Sequence, residues 1–208
     1  MRRNDVRSGF TRASLCELCA SVAEVTLFDF ITMKKHLVFI GDSLTEWYDW
    51  QERFPVYRVT NLGISGETVE ELLDRRDRIR ERIANPDVIF LMTGINNILS
   101  ERYDITVPYR EIVRNLTTWY KGAKVVVQSL LPVDMPWINN DTIRTINRHL
   151  SGIAREHDAE YLDVYSHFVD EIGKPRPGLL SDDGVHLASK GYEVWAEAVE
   201  KYLNQVDQ

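Results

Sequence analysis

Leu37-Val38-Phe39-Ile40-Gly41-Asp42-Ser43-Leu44 decides how this chain is read. Its first four residues form a short apolar run without polar alternation, the pattern of a strand buried on both faces of a sheet. The run stops at a glycine, and an acid and a hydroxyl follow at once. Polar groups are thus delivered at the end of a buried strand, which is where open α/β sheets bind ligands.

Working outward, two further runs of the same kind end in polar blocks. Tyr57-Arg58-Val59-Thr60 leads into Asn61-Leu62-Gly63-Ile64-Ser65-Gly66, and Val88-Ile89-Phe90-Leu91-Met92-Thr93 leads into Gly94-Ile95-Asn96-Asn97. A fourth block, Asp183-Gly184-Val185-His186, stands near the C-terminus. A serine, a histidine, an acid and two kinds of oxyanion donor then meet at one sheet edge, the inventory that acyl transfer needs.

The rest of the chain supplies the sheet. Apolar runs at 37–40, 56–62, 88–92, 125–131 and 161–164 predict five strands. Helical spacing of apolar residues over 68–83, 109–120, 142–154 and 190–203 predicts helices between and after them. Strands alternating with helices imply an α/β three-layer sandwich around a mostly parallel, doubly wound sheet. No repeat or linker marks a second domain after Met33. The longest irregular stretches, 131–140 and 172–186, contain Pro132, Pro136, Pro175 and Pro177 and are expected beside the site.

A chain of 208 residues can bury a full core without disulfides or metals. Its net charge of -7 argues against a general nucleic-acid binder and against anionic lipid surfaces. No stretch reaches membrane-spanning length, so no integral membrane association is expected. The first 32 residues read as an extension. Arg2, Arg3, Arg7 and Arg12 balance Asp5, Glu17, Glu24 and Asp29, and the pattern makes a poor secretory signal, so a cytoplasmic location is expected. Cys16 and Cys19, the only cysteines, have redox or zinc half-site spacing, but no second pair completes it, and they read as plain thiols. Met33 is a natural beginning for the domain, 33–208.

Each candidate residue has a plainer role beside the chemical one. Ser43 is a nucleophile at a helix start or simply an N-cap. Ser65 lacks the Gly-x-Ser-x-Gly spacing and reads as a turn or cap ahead of a helix beginning near Glu67. His186 is the candidate general base, with Asp183 or its neighbour Asp182 to orient it. His36, His149, His157 and His167 have no matching acid block. Gly63 can offer a backbone N–H and, lacking a Cβ, allow close approach of substrate; Asn96 can offer an amide, with Asn97 as its understudy. Trp47, Tyr48 and Trp50 are either an aromatic acyl pocket or packing residues, and Met135, Trp137 and Ile138 form a second candidate wall.

The four blocks in this order resemble the SGNH, or GDSL-type, hydrolases, and the resemblance covers the chain from about Met33 to the end. It implies a flavodoxin-like SGNH-hydrolase fold and Ser43, Asp183 and His186 as the catalytic set. The oxyanion hole it implies is built from the Ser43 N–H, Gly63 and Asn96, and Trp47, Tyr48 and Trp137 are the substrate-binding candidates. One departure stands out: the family's third block usually ends in aspartate, and Asn97 takes that place.

The function expected is a carboxylic-ester hydrolase that works through an acyl-enzyme without cofactor or metal, on a small-molecule ester with a short or accessible acyl group. Lysophospholipase or thioesterase activity on longer chains is the alternative within the class. A binding protein that kept the fold and lost turnover is a second class. A metal hydrolase built on Asp42, Asp183 and His186 is a third, but no ligand cluster such as His-x-x-x-His supports it. Oligomeric state is not legible.

Overall fold

A computed structural model of the chain describes residues 34–206. Cys16, Cys19 and the expectations for the N-terminal extension lie outside the described residues.

Five strands, β1 (His36–Gly41), β2 (Arg58–Gly63), β3 (Val88–Met92), β4 (Lys124–Gln128) and β5 (Glu160–Leu162), form one sheet. All neighbours are parallel, in the order β2-β1-β3-β4-β5. The chain steps from β1 out to β2 and then returns past β1 to β3. The exits of β1 and β3 therefore lie side by side at the point where the winding reverses, the crevice that doubly wound sheets offer to ligands. Ser43 follows one of these strands and Asn96 the other.

Burial explains the apolar runs. Every residue of β1 and β3 is buried, whereas the edge strands β2 and β5 are mostly half-buried. Alternate side chains serve opposite layers. Phe39 stacks on Trp50 at 4.1 Å and on Phe90 at 4.9 Å, and Trp50 meets Trp195 edge to face at 4.8 Å. These contacts pack α2 (Trp50–Arg53) and α8 (Ser189–Val206) on one face. Ile40 points the other way, towards Leu72, Ile79, Ile112 and Leu116. Those residues belong to α3 (Val69–Asp74), α4 (Arg76–Arg82) and α6 (Thr106–Trp119), which cover the second face together with α7 (Asn140–Glu156). Each such side chain contributes about 1.5 to 3 kcal/mol by leaving water.

The predicted helix over 68–83 is two helices that meet at Arg75, whose side chain turns back to Glu67. Three short helices escape periodicity because four or five residues cannot display it: α1 (Ser43–Glu46), α2 and α5 (Ile95–Leu99). A helix as short as α1 is unstable by itself and must be held by its surroundings. No described helix is long and apolar enough to cross a membrane.

Candidate active site

Ser43 is the first residue of α1 and is 5% exposed. The N-cap is Asp42, not Ser43: Asp42 Oδ1 accepts the Leu44 N–H at 3.1 Å, which leaves the serine hydroxyl out of the capping role. Burial pushes the Asp42 carboxyl up to about 7, against the pull of the Leu44 N–H, and its Oδ2 has no hydrogen-bond partner among the described residues. Asn61 pins the other end of the turn, its Nδ2 donating to Thr45 O at 2.9 Å and, at longer range, to the carbonyls of Glu46 and Tyr48. Gly63 permits this docking, because a Cβ there would stand 2.4 Å from the Glu46 nitrogen. The missing side chain serves the approach of α1 itself, a different reason from the substrate approach expected.

The irregular segment before α8 brings His186 to the serine. Ser43 Oγ lies 3.0 Å from His186 Nε2, and His186 Nδ1 lies 2.6 Å from Asp183 Oδ2. Asp183 Oδ1 accepts the backbone N–H groups of Val185 and His186, both at 2.9 Å. Burial alone would raise the Asp183 carboxyl, but the bond to His186 and those two N–H groups outweigh it and hold the group well below the usual carboxylate range. An ionised carboxylate only accepts, so Nδ1 carries the imidazole proton and Nε2 turns a lone pair towards Ser43. It is Asp183, not Asp182, that reaches the ring. Gly184 turns the loop with φ of +71° and comes so close to Asp134 O that a Cβ would stand 2.4 Å from it. The Asp134 N–H in turn donates to Gly184 O at 2.8 Å, which docks the 131–140 loop on the loop that carries His186.

The expected oxyanion donors are partly engaged. The Gly63 N–H is not free: it donates to Asn61 Oδ1 at 2.9 Å, so an incoming oxygen must share it or take it over. Asn96 donates one amide hydrogen to Glu67 O at 2.9 Å. Asn97 is fully buried and committed at both ends, accepting from the Val69 N–H at 3.0 Å and donating to Glu70 Oε2 at 2.7 Å. That leaves Asn96 as the adaptable amide, and it also explains the departure at position 97. An aspartate there would face the Glu70 carboxylate.

Glu67 and Arg75 went unnoticed in the sequence. The guanidinium grips the buried Glu67 carboxylate with two nitrogens and reaches Leu62 O at 2.8 Å. It thereby fixes the loop whose carbonyl holds Asn96. Burial raises the Glu67 carboxyl in spite of the bonds and charge of Arg75. The signal was present only as an acid and a base eight residues apart across a helix start.

The remaining candidates divide. Trp47 lies flat against the His186 ring, centroids 4.1 Å apart and planes at 16°, and is 57% exposed. Trp137, 64% exposed, rides on the loop docked against Gly184. Tyr48 turns inward instead, stacking on Tyr192 at 4.8 Å and meeting Trp50 edge to face, so it packs the core rather than lining the site. Ser65 sits in a turn, its hydroxyl donating to Glu46 Oε2, and the cap of α3 is Thr68, which forms a capping box with Glu71. His36 is buried on β1 against Thr60, with Nε2 2.8 Å from its hydroxyl. His149 and His167 are exposed and His157 is half-buried. Among the described residues, no three His, Cys, Asp or Glu side chains group to hold a metal ion.

Comparison with known proteins gives the family and the fold. The sequence pattern of the GDSL-like Lipase/Acylhydrolase family matches residues 39–194. The chain is 27% identical over 181 residues to platelet-activating factor acetylhydrolase IB subunit alpha1 of Rattus norvegicus, covering 80% of this chain and 74% of the relative. It is 31% identical over 176 residues to subunit alpha2 of the same species, covering 82% and 76%. Among solved structures, an acetylxylan esterase from Geobacillus stearothermophilus superposes with a TM-score of 0.66 at 22% identity, covering 80% of this chain and 93% of its own. A lipolytic G-D-S-L protein from Veillonella parvula gives 0.64 at 23%, covering 80% and 97%. The fold and the ordered blocks define an acyl hydrolase. The chain belongs to the GDSL-like lipase/acylhydrolase family.

Proposed function

We propose that the protein is a cofactor-independent carboxylic-ester hydrolase in which Ser43 is the nucleophile, His186 the general base and Asp183 its orienter, carried by the domain 33–208. The observation that carries this reading is the unbroken line from Asp183 Oδ2 through the imidazole to Ser43 Oγ, with contacts of 2.6 and 3.0 Å.

Ser43 Oγ attacks the ester carbonyl while its proton passes to Nε2. The Asp183 carboxylate stabilises the imidazolium that results. The carbonyl oxygen becomes an oxyanion and is met by the Ser43 N–H at the start of α1, the Gly63 N–H and the Asn96 amide, each such donor contributing about 3 to 4 kcal/mol. Collapse breaks the bond to the alcohol, which leaves with the proton from Nε2. A water then releases the acid by the same steps in reverse order, and Ser43 recovers its proton.

Short acyl groups are the substrates this reading favours. The relatives named above include acetylhydrolase subunits and an acetylxylan esterase, and both names denote removal of acetyl groups. The exposed Trp47 and Trp137 flank the base loop and suit an accessible ester at an open rim. A series of p-nitrophenyl esters from acetyl to palmitoyl, with acetylated sugars and acyl-CoA alongside, tests this. Highest kcat/KM at acetyl or butyryl is expected, and a maximum at long chains would overturn the short-acyl part.

A further inference from the structure

The two hydrogen bonds of His186 both lie in the plane of its ring, at Nδ1 and at Nε2. The ring turns about its Cβ–Cγ bond, and that turn moves both nitrogens along the ring normal, where bonds in the ring plane resist least, and carries Nε2 out of line with Ser43. Asp183 and His186 lie in a loop with side chains 51% and 26% exposed, so the surrounding core does not stop the motion. A flat neighbour against the ring face does.

We infer that Trp47 is a positioning residue for the base: its indole clamps the face of His186 and keeps Nε2 aimed at Ser43. The inference rests on the esterase reading above. Trp47 ends the same turn that Ser43 begins, its backbone N–H donating to Ser43 O at 3.1 Å, so nucleophile and clamp move as one piece. The indole is itself held edgewise. Its Nε1 donates to Ser65 Oγ at 2.9 Å, and Ser65 is held by Glu46 Oε2 through both its hydroxyl and its N–H, the latter at 2.8 Å. Glu46 and Ser65 have no place in the proton transfer, and this tether gives them one. The indole face also suits the imidazolium that forms during attack, because a ring quadrupole attracts a cation lying over it.

The test compares Trp47→Leu with Trp47→Phe in the full chain. Leucine covers the ring face without a flat surface, and phenylalanine restores the flat surface without the tether. For Trp47→Leu we expect kcat on p-nitrophenyl acetate to fall about tenfold, in line with the cost of a small misplacement of a catalytic group. KM should stay within about twofold, and labelling of the serine by a fluorophosphonate should slow by the same factor as kcat. Trp47→Phe should recover part of both rates, to the level of Ser65→Ala. Ser65→Ala should lower kcat a few-fold in the native background and add nothing in the Trp47→Phe background, where no N–H remains to tether. Melting temperatures identify any variant that acts by unfolding. An unchanged kcat with a raised KM, greater for butyrate than for acetate, would overturn the inference and make Trp47 an acyl-pocket wall. A wild-type chain that neither hydrolyses esters nor is labelled would overturn the esterase reading first and this inference with it.

Discussion

Ser43 and the Asp183–His186 pair are held by different means. Ser43 leaves a fully buried strand, is 5% exposed, and is fixed by Asp42, Asn61 and the close contact at Gly63. Asp183 and His186 stand in an irregular loop, partly exposed, fixed by local hydrogen bonds and by the docking of Asp134 on Gly184. One half of the site is therefore a product of the sheet and the other of a turn. Damage to the buried contacts that hold the first half should appear in stability as well as rate, and damage to the second in rate alone.

The largest effect expected is that of Ser43→Ala, which should cut ester turnover by about four orders of magnitude or more. Its melting temperature should stay near that of the native protein, because Asp42 supplies the cap. On the loop side, Asp183→Asn should lower kcat by about two orders, since the imidazole loses the acceptor that sets its tautomer. Asp182→Asn should stay within about twofold. Equal losses in the two would remove the orienter from Asp183. Steady-state kinetics with p-nitrophenyl acetate read all three.

Stability should respond on the sheet side. Arg75→Met strands the buried Glu67 carboxylate, and chemical denaturation should show a loss of about 3 kcal/mol. Asn97→Asp sets a carboxylate against Glu70 in place of a donated bond and should cost about 1 to 3 kcal/mol near neutral pH. Adding Glu70→Gln returns a donor to the pair and should recover most of that. If the double variant is no better than the single, the bond between these two residues is not what fixes position 97.

A further effect is a slope in pH. The Asp42 carboxyl is raised by burial to about 7 from an ordinary value of 3.8. Its stabilising contribution is therefore complete below about 3.8 and lost as pH rises through about 7, because the folded state keeps the proton that the unfolded state gives up. Asp42→Asn should flatten the dependence of melting temperature on pH between about 4 and 7 and be the more stable protein at the upper end. An unchanged slope would show that another group sets it.

The same division accounts for what could be read in advance. Fully buried strands carry unbroken apolar runs, so β1 and β3 and the polar blocks at their exits were plain in the sequence. The pair Asp183 and His186 was legible because its three-residue spacing is local. What stayed hidden depends on contacts between distant segments that no periodicity records. Arg75 breaks a predicted helix because its side chain is drawn to Glu67 and Leu62 O. Asn61 lies inside a block that was noticed, but its grip on three carbonyls of the Ser43 turn appears only once β2 lies beside α1. Tyr48 and Trp47 are adjacent and aromatic, and only the turn between them decides that one enters the core and the other covers His186.

In the proposed mechanism, His186 activates Ser43 to form a covalent acyl-enzyme. The most direct test is intact-mass analysis after treatment with a fluorophosphonate, followed by peptide mapping, for the native chain, Ser43→Ala and His186→Ala. One adduct is expected, on the peptide containing Ser43, absent in Ser43→Ala and formed far more slowly in His186→Ala. An adduct on Ser65, or full ester turnover in a chain whose Ser43 cannot be labelled, would contradict it.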